Sequence, residues 1–165
     1  MIFVFTGNGK GKTTSAIGMA IRAVGAGRRV LMVQFLKSDS SSEIKIIKKI
    51  QNFQIQSFGR PGFGPYSKKD ADLAQKAMDS AQKAAASGRY NILILDEISL
   101  AIKYKLVGLK EVADFLKRFR NKLDLVLTGR YCPKEIIKMA DLATEFKEIK
   151  HYFKKGVKAK KGIEF

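Results

Sequence analysis

TGNGKGKTT, at residues 6–14, is the segment that most strongly indicates how this chain folds. It follows a short, continuously apolar run at residues 1–5 and precedes apolar residues at helical spacing, so its context is strand, loop and helix. Glycines allow backbone N–H groups to curl around phosphate oxygens, and the start of the helix adds a partial positive charge. The stretch therefore predicts a phosphate-binding loop (P-loop) for ATP, although Thr6 stands where the strict pattern has glycine.

Separate roles are predicted within this loop. Lys12 supplies a point charge to the phosphates and is a predicted catalytic residue, while the Thr13 hydroxyl is placed to coordinate Mg²⁺ or Mn²⁺. The predicted nucleotide contacts comprise the whole loop: Gly7, Asn8, Gly9, Lys10, Gly11, Lys12, Thr13 and Thr14. A glycine-rich turn without function is the alternative, and the strand–loop–helix setting argues against it.

A second motif ends another apolar run, LILDE at residues 93–97. In P-loop proteins a carboxylate at this place holds Mg²⁺ or its water shell, and an adjacent glutamate usually polarises water in the hydrolases. Acidic residues often end strands, so the motif is modest on its own and becomes strong beside the P-loop. It predicts Asp96 and Glu97 as metal ligands, with Glu97 also a catalytic residue.

The rest of the chain alternates between predicted strands and helices. Strands are predicted at residues 1–5, 29–36, 51–58, 91–95, 123–127 and 143–149. Helices are predicted from the P-loop to Gly25, from a capping box at Ser67 to Gly88, from Leu109 to Phe119, and from Pro133 to near Ala140. This alternation predicts one α/β domain, residues 1–165, with a P-loop NTPase (RecA-like) fold: an open parallel sheet with helices on both faces. The Ser-rich residues 38–42 and the Gly/Pro-rich residues 59–67 are predicted loops at the carboxyl ends of strands, where ligands bind.

Composition limits the environment and the partners. The chain carries 32 Lys and Arg against 15 Asp and Glu, a formal net charge of +17. Such a charge attracts polyanions, but the lysines are spread along the chain, which favours a lysine-rich solvated surface over nucleic-acid binding. A single cysteine, with neither a signal peptide nor an apolar run long enough for a membrane span, predicts a cytoplasmic protein that does not bind membranes.

Three further residues are weaker candidates. His151, the only histidine, is expected to be a surface or packing residue rather than a catalyst. Cys132 precedes a helix, and a role in helix entry is favoured over a nucleophilic one. Arg130 lies at the carboxyl end of a strand, where contact with phosphate and a structural salt bridge are equally good readings.

Over nearly its whole length the chain resembles the P-loop corrinoid adenosyltransferases. The resemblance is an ordered set of matches: TGNGKGKTT at 6–14, RAVG at 22–25, VQFLK at 33–37, LDEI at 95–98, LTGR at 127–130, Pro133, ADL at 140–142, TE at 144–145, KH at 150–151, GV at 156–157, Ala159 and GIE at 162–164. A P-loop alone indicates only a nucleotide. The ordered set is far more specific.

The resemblance implies a reaction and assigns residues to it. In this family Co(I) of a reduced corrinoid, cob(I)yrinic acid a,c-diamide or cob(I)alamin, attacks C5′ of ATP and triphosphate leaves. Glu97 would then hold the metal with Thr13 rather than activate water, and Asn8 and Arg22 match positions that contact ATP. The resemblance also implies a flavoprotein-type reductase that supplies Co(I), and it leaves a homodimer open.

Two segments depart from the family pattern. Residues 38–42 stand where the family usually has glycine and a tryptophan-containing loop. The segment that packs near the corrinoid reads Gly62-Phe63-Gly64-Pro65-Tyr66, without tryptophan. Phe63 is nevertheless a predicted corrinoid contact, and residues 60–66 are expected to move and to close over the corrinoid. The alternative is that Phe63 anchors the loop in the core.

Two other function classes compete with the transferase. A nucleic-acid-dependent P-loop ATPase would share the P-loop, Asp96, Glu97 and the positive charge, but no further helicase-like motif is present. A non-catalytic relative that only binds nucleotide or corrinoid is opposed by the intact Lys12, Thr13 and Glu97. The transferase is the leading hypothesis.

Overall fold

A six-stranded sheet forms the centre of the computed structural model, which describes residues 1–62 and 64–163. The strand order is β3-β2-β4-β5-β1-β6, and every neighbouring pair is parallel. The strands are β1 (Ile2–Thr6), β2 (Val30–Phe35), β3 (Phe53–Phe58), β4 (Ile92–Asp96), β5 (Asp124–Thr128) and β6 (Leu142–Glu145).

Helices cover both faces of this sheet. They are α1 (Lys12–Gly25), α2 (Ser42–Ile47), α3 (Lys68–Ala86), α4 (Ile98–Lys103), α5 (Leu109–Phe119) and α6 (Lys134–Met139). Buried residues of α1 and α2 pack with one set of strand residues. Those of α3 to α6 pack with another set. The α/β fold class predicted from the sequence is confirmed.

Alternation along β4 shows why the buried strands read as unbroken apolar runs. Ile92 and Ile94 pack on the side of α1, whereas Leu93 and Leu95 pack on the side of α3 to α5. Successive side chains of a strand point to opposite faces, so a strand with helices on both sides needs apolar residues at every position.

Three elements differ from the prediction. Helices α2 and α4 were not predicted, because each has only six residues and too few turns to show a helical period. The last strand ends at Glu145 rather than at residue 149. Beyond Glu145 the Phe146 N–H still donates to the Thr6 carbonyl at 2.8 Å. The Phe146 carbonyl, however, accepts a hydrogen bond from the P-loop.

The capping box predicted at the start of α3 is present and is joined to the preceding loop. The Ser67 backbone N–H donates to Asp70 Oδ2 at 2.7 Å. Arg60 donates to both carboxylate oxygens of Asp70, each at 2.7 Å. The Arg60 guanidinium and these hydrogen bonds hold the pKa of Asp70 well below its usual range. Asp70 therefore ties Arg60 to the start of α3.

Candidate active site

The strand order brings the predicted motifs to one edge of the sheet. The P-loop follows β1, Asp96 ends β4, and Thr128 ends β5, which lies between them. Lys37 follows β2, the other neighbour of β4. Because all strands are parallel, their carboxyl ends meet at the same edge, which is where open α/β sheets bind ligands.

The P-loop passes closely under the segment that follows β6. A Cβ atom on Gly7 would lie 2.5 Å from the Phe146 carbonyl oxygen, and one on Gly9 would lie 2.7 Å from the same atom. The Gly9 N–H donates to this carbonyl at 2.6 Å. The glycines therefore serve the packing of the loop against the chain as well as the approach of a phosphate.

Thr6, the departure from the strict motif, has a structural role. Its hydroxyl donates to the Gly129 carbonyl at 2.9 Å and accepts from the Cys132 N–H at 3.3 Å. These bonds join the end of β1 to the loop that follows β5. A glycine at this position could make neither bond.

Lys12 is buried and folded back onto its own loop. Its side chain is 7% exposed, and Nζ donates to the Gly9 carbonyl at 2.7 Å. Burial lowers the pKa of Lys12, since it removes water from the ammonium, and the Glu97 carboxylate opposes that shift. The ammonium thus lies beside the loop, where the charges of Glu97 and Asp96 affect its pKa.

Asp96 is the centre of a hydrogen-bond network and is fully buried. Its Oδ1 accepts from the Thr13 hydroxyl at 2.8 Å and from the Thr128 hydroxyl at 2.7 Å. Its Oδ2 accepts from Lys37 Nζ at 2.8 Å and from Gln34 Nε2 at 3.1 Å. Burial alone would raise the pKa of Asp96, but Lys37 and these hydrogen bonds outweigh burial and hold the pKa below its ordinary value.

Glu97 is less well satisfied. It has a left-handed backbone, with φ 63°, and its N–H donates to the Thr128 hydroxyl at 3.0 Å. Its Oε2 is buried and has no hydrogen-bond partner among the described residues. Burial, and then the neighbouring charge of Asp96, raises the pKa of Glu97. A buried carboxylate oxygen without a partner is costly, and such groups commonly mark the place of a ligand or ion.

Lys37 places a positive charge between two predicted metal ligands. Its Nζ lies 3.0 Å from Thr13 Oγ1 and 2.8 Å from Asp96 Oδ2. Burial alone would lower the pKa of Lys37, but the carboxylates of Asp96 and Glu97 raise it above its ordinary value. The Thr13 hydroxyl and the Asp96 carboxylate contact this cation, and the Glu97 carboxylate acts on it through its charge, so the oxygen donors here suit a hard divalent metal ion.

The remaining predicted residues lie apart from this group. Arg22 is exposed in the last turn of α1, about 15 Å along the helix from Lys12. Arg130 is exposed and forms no ion pair within residues 1–62 and 64–163, but it is close enough to Lys12 and Glu97 to affect the pKa of both. Phe63 lies outside the described residues. The predicted contacts of Arg22, Arg130 and Phe63 with ligands stay predictions.

Two of the three weaker candidates, Cys132 and His151, have defined local surroundings. Burial raises the pKa of the Cys132 thiol, which makes it a poor nucleophile. His151 Nδ1 accepts from the Phe153 N–H at 3.1 Å and begins the short 3₁₀ helix Tyr152–Lys155.

Sequence reasoning missed four residues of this edge. Lys37, Gln34 and Thr128 bond to Asp96, and Phe146 bonds to the P-loop. Lys37 had a signal, since it is the first cation after β2, but only the strand order places it beside Asp96.

Solved structures with a similar fold define the class. The chain resembles the flagellar accessory protein FlaH from Methanocaldococcus jannaschii, with a TM-score of 0.55 and 16% identity, over 87% of this chain and 69% of that one. It also resembles the genome packaging NTPase B204 of Sulfolobus turreted icosahedral virus 2, with a TM-score of 0.53 and 16% identity, over 87% and 74%. At such identity these likenesses show the fold alone. Fold and P-loop together define a P-loop NTPase-like nucleotide-binding protein.

The family follows from the sequence comparisons. A family model described as ATP:corrinoid adenosyltransferase BtuR/CobO/CobP matches residues 1–165. The corrinoid adenosyltransferase of Escherichia coli is 34% identical over 167 residues, which cover 100% of this chain and 85% of that protein. That of a Sinorhizobium species is 35% identical over 171 residues, covering 100% and 80%. The chain belongs to the ATP:corrinoid adenosyltransferase family, which confirms the predicted enzyme class and its substrates, ATP and a corrinoid.

The comparisons and the fold also bear on the competing readings. The nucleic-acid-dependent ATPase receives no comparable support, since the family and the named relatives are transferases.

Within the described residues, no helix combines the length and the apolar character that crossing a membrane requires.

Proposed function

We propose that this chain transfers the 5′-deoxyadenosyl group of ATP to Co(I) of cob(I)yrinic acid a,c-diamide or cob(I)alamin, with release of triphosphate. The observation that carries the proposal is the meeting of the P-loop with Asp96 and Glu97 at one edge of the sheet, in a chain of this family. The reaction forms a cobalt–carbon bond at C5′ and breaks the C5′–oxygen bond. The electron pair of the broken bond leaves with the triphosphate.

The charge that develops on the leaving triphosphate explains the basic side of the site. Lys12 would leave the Gly9 carbonyl and place its ammonium on the phosphates, where it stabilises the developing negative charge. The amides of the loop and the start of α1 would add their partial positive charges. Arg130, exposed at the same edge, is a further candidate for contact with the phosphates.

The acidic side of the site fits a metal ligand role better than a general base. The proposed transfer moves no proton, so the Glu97 carboxylate has no proton to accept in it. We propose that the Thr13 hydroxyl and the carboxylates of Glu97 and Asp96 hold Mg²⁺, directly or through water. Mg²⁺ held there would neutralise part of the triphosphate charge. The described residues hold no group of three or more His, Cys, Asp or Glu side chains suited to a metal, so phosphate and water would supply the other ligands.

The remaining proposals concern the reductant, the domain organisation, the oligomeric state and the cellular location. Because each transfer uses up one Co(I) corrinoid, a reductant must supply Co(I) by reducing the next, more oxidised corrinoid, and we propose a flavoprotein-type reductase. We further propose a single domain over residues 1–165 and a cytoplasmic location, as the sequence predicts, and a homodimer, which the family resemblance leaves open.

Analysis of the released product tests the proposed function. Purified protein is incubated without oxygen with ATP, Mg²⁺ and chemically reduced cobalamin, and in parallel with ATP, Mg²⁺ and DNA. We expect release of triphosphate in the first reaction and no DNA-stimulated release of phosphate in the second. Phosphate release that depends on DNA, with no triphosphate from the reaction with cobalamin, would instead support the ATPase.

A further inference from the structure

The position of Lys37 is set by a constrained backbone. Leu36 has a positive φ of 60°, and its N–H donates to the Phe58 carbonyl at 3.1 Å. Gly59 packs so tightly on this turn that a Cβ atom would lie 2.3 Å from the Lys37 nitrogen. The turn after β2 is therefore built closely against the end of β3. Lys37 leaves this turn with its side chain only 25% exposed and its ammonium in the site.

The ammonium of Lys37 lies where it competes with a divalent metal. It donates to Thr13 Oγ1, the hydroxyl expected to bind the metal, and to Asp96 Oδ2. The Thr13 proton is directed to Asp96 Oδ1 at the same time, so the hydroxyl presents its lone pairs to Lys37. A metal on the Thr13 oxygen would bring two further positive charges next to this ammonium, and the two cations would repel each other.

Lys37 also stabilises the site before nucleotide binds. Asp96 is fully buried, and a charged carboxylate without a partner would be expensive there. Gln34 and the hydroxyls of Thr13 and Thr128 supply hydrogen bonds, but Lys37 supplies the only positive charge in direct contact with Asp96 among the described residues.

We propose that Lys37 is a positioning residue that acts as a tethered cation in place of the metal. In the nucleotide-free protein it holds Thr13 and Asp96 in their places and keeps free divalent metal out. When ATP arrives with its metal, Lys37 gives up its contact with Thr13. The inference deepens the proposed function, because it concerns the metal that accompanies ATP, but its test requires neither corrinoid nor turnover.

The test measures binding of Mn²⁺ alone to the nucleotide-free protein by electron paramagnetic resonance. Lys37→Gln removes the charge and keeps a donor for Asp96, so it avoids a buried unpaired carboxylate. Lys37→Arg keeps the charge. The matched control is Lys110→Gln, because Lys110 pairs with Asp114 on an exposed face of α5. Circular dichroism verifies that each variant is folded.

The expected result is that Lys37→Gln binds Mn²⁺ about tenfold more tightly than the wild type, since one repelling charge is removed. Lys37→Arg and Lys110→Gln should bind it within about threefold of the wild type. Weaker, equal or less than about threefold tighter binding in folded Lys37→Gln would overturn the proposal. So would a gain in Lys37→Arg as large as that in Lys37→Gln, because it would show that the charge is not what matters.

Discussion

The side-chain hydroxyl of Thr13 donates a hydrogen bond to Asp96 Oδ1 over 2.8 Å, across 83 residues of sequence. This bond joins the first turn of α1 to the end of β4. It therefore links the P-loop to the Asp96-Glu97 motif. Because Asp96 is also bonded to Lys37, Gln34 and Thr128, the edge of the sheet is one connected network. A substitution in either motif should therefore disturb the hydrogen bonds of the other.

Lys12→Ala should abolish most turnover and leave the protein folded. The variant loses the charge placed where the triphosphate develops its own, and one such preorganised contact is typically worth about 10²–10³ in rate. Turnover is measured at saturating ATP and Mg²⁺, with Lys110→Ala as a control at an exposed position. Turnover of Lys12→Ala close to that of the wild type would remove Lys12 from the mechanism.

Glu97→Gln should raise the Mg²⁺ concentration that activity requires. A neutral amide is a poorer ligand for a hard cation, so activity should return in part as Mg²⁺ is added. A Mg²⁺ titration of the variant measures this recovery. If Glu97 acts on water as a general base, added Mg²⁺ will restore nothing.

The same variant should also change the pH dependence of stability. Burial raises the pKa of Glu97, so in the nucleotide-free protein this carboxyl costs stability at pH values above its folded pKa. The cost is relieved as pH falls through that pKa. Glu97→Gln should therefore melt at or above the wild-type temperature near pH 8, and the difference should shrink towards pH 5. A variant that melts well below the wild type near pH 8 would contradict the assigned direction.

Gly9→Ala and Gly18→Ala should have opposite effects. A Cβ atom on Gly9 would lie 2.7 Å from the Phe146 carbonyl oxygen, whereas one on Gly18, within α1, meets nothing within 4 Å. Alanine is favoured over glycine inside a helix by about 1 kcal/mol, so Gly18→Ala should melt about 2–4 °C higher. Gly9→Ala should melt lower and bind ATP more weakly. Equal melting temperatures for the two variants would show that Phe146 does not confine the P-loop.

The loop of residues 60–66 is predicted to cover the corrinoid. Tyr66 packs on the ring of Tyr104, with centroids 4.5 Å apart, and Tyr104 is itself 48% exposed. Loss of this surface contact should cost little stability. If Phe63 and Tyr66 cover the corrinoid, Phe63→Ala and Tyr66→Ala should both lose turnover with corrinoid, while ATP affinity and melting temperature stay nearly unchanged.

A core role for these aromatic residues predicts the opposite pattern. Removing a core anchor should lower the melting temperature by several degrees, at about 4 °C or less per kcal/mol for a chain of this size. If both variants melt early and turn over normally per folded molecule, the loop does not cover the corrinoid.

Local sequence patterns predicted much of the fold and the two motifs that meet at one edge of the sheet, while the roles of their residues stay predictions. The P-loop and the end of β4 were readable because their chemistry is carried by adjacent residues, such as Lys12 with Thr13 and Asp96 with Glu97. The role of Lys37 was not readable, because it depends on β2 lying beside β4 in the sheet. The predicted end of β6 was too late because the strand-like pattern of the sequence continues beyond Glu145, whereas the Phe146 carbonyl bonds to Gly9 of the P-loop.

Adenosyl transfer to Co(I) can be observed in the visible spectrum of cob(I)alamin during incubation with ATP, Mg²⁺ and this protein. We expect the Co(I) spectrum to be replaced by that of an alkylated corrinoid, and light then to destroy the product by breaking its cobalt–carbon bond. Lys12→Ala, measured in parallel, should leave the Co(I) spectrum largely unchanged over the same time. A folded wild-type protein that binds ATP, yet produces no light-sensitive product from cob(I)alamin or from reduced cobyrinic acid a,c-diamide, would contradict the account.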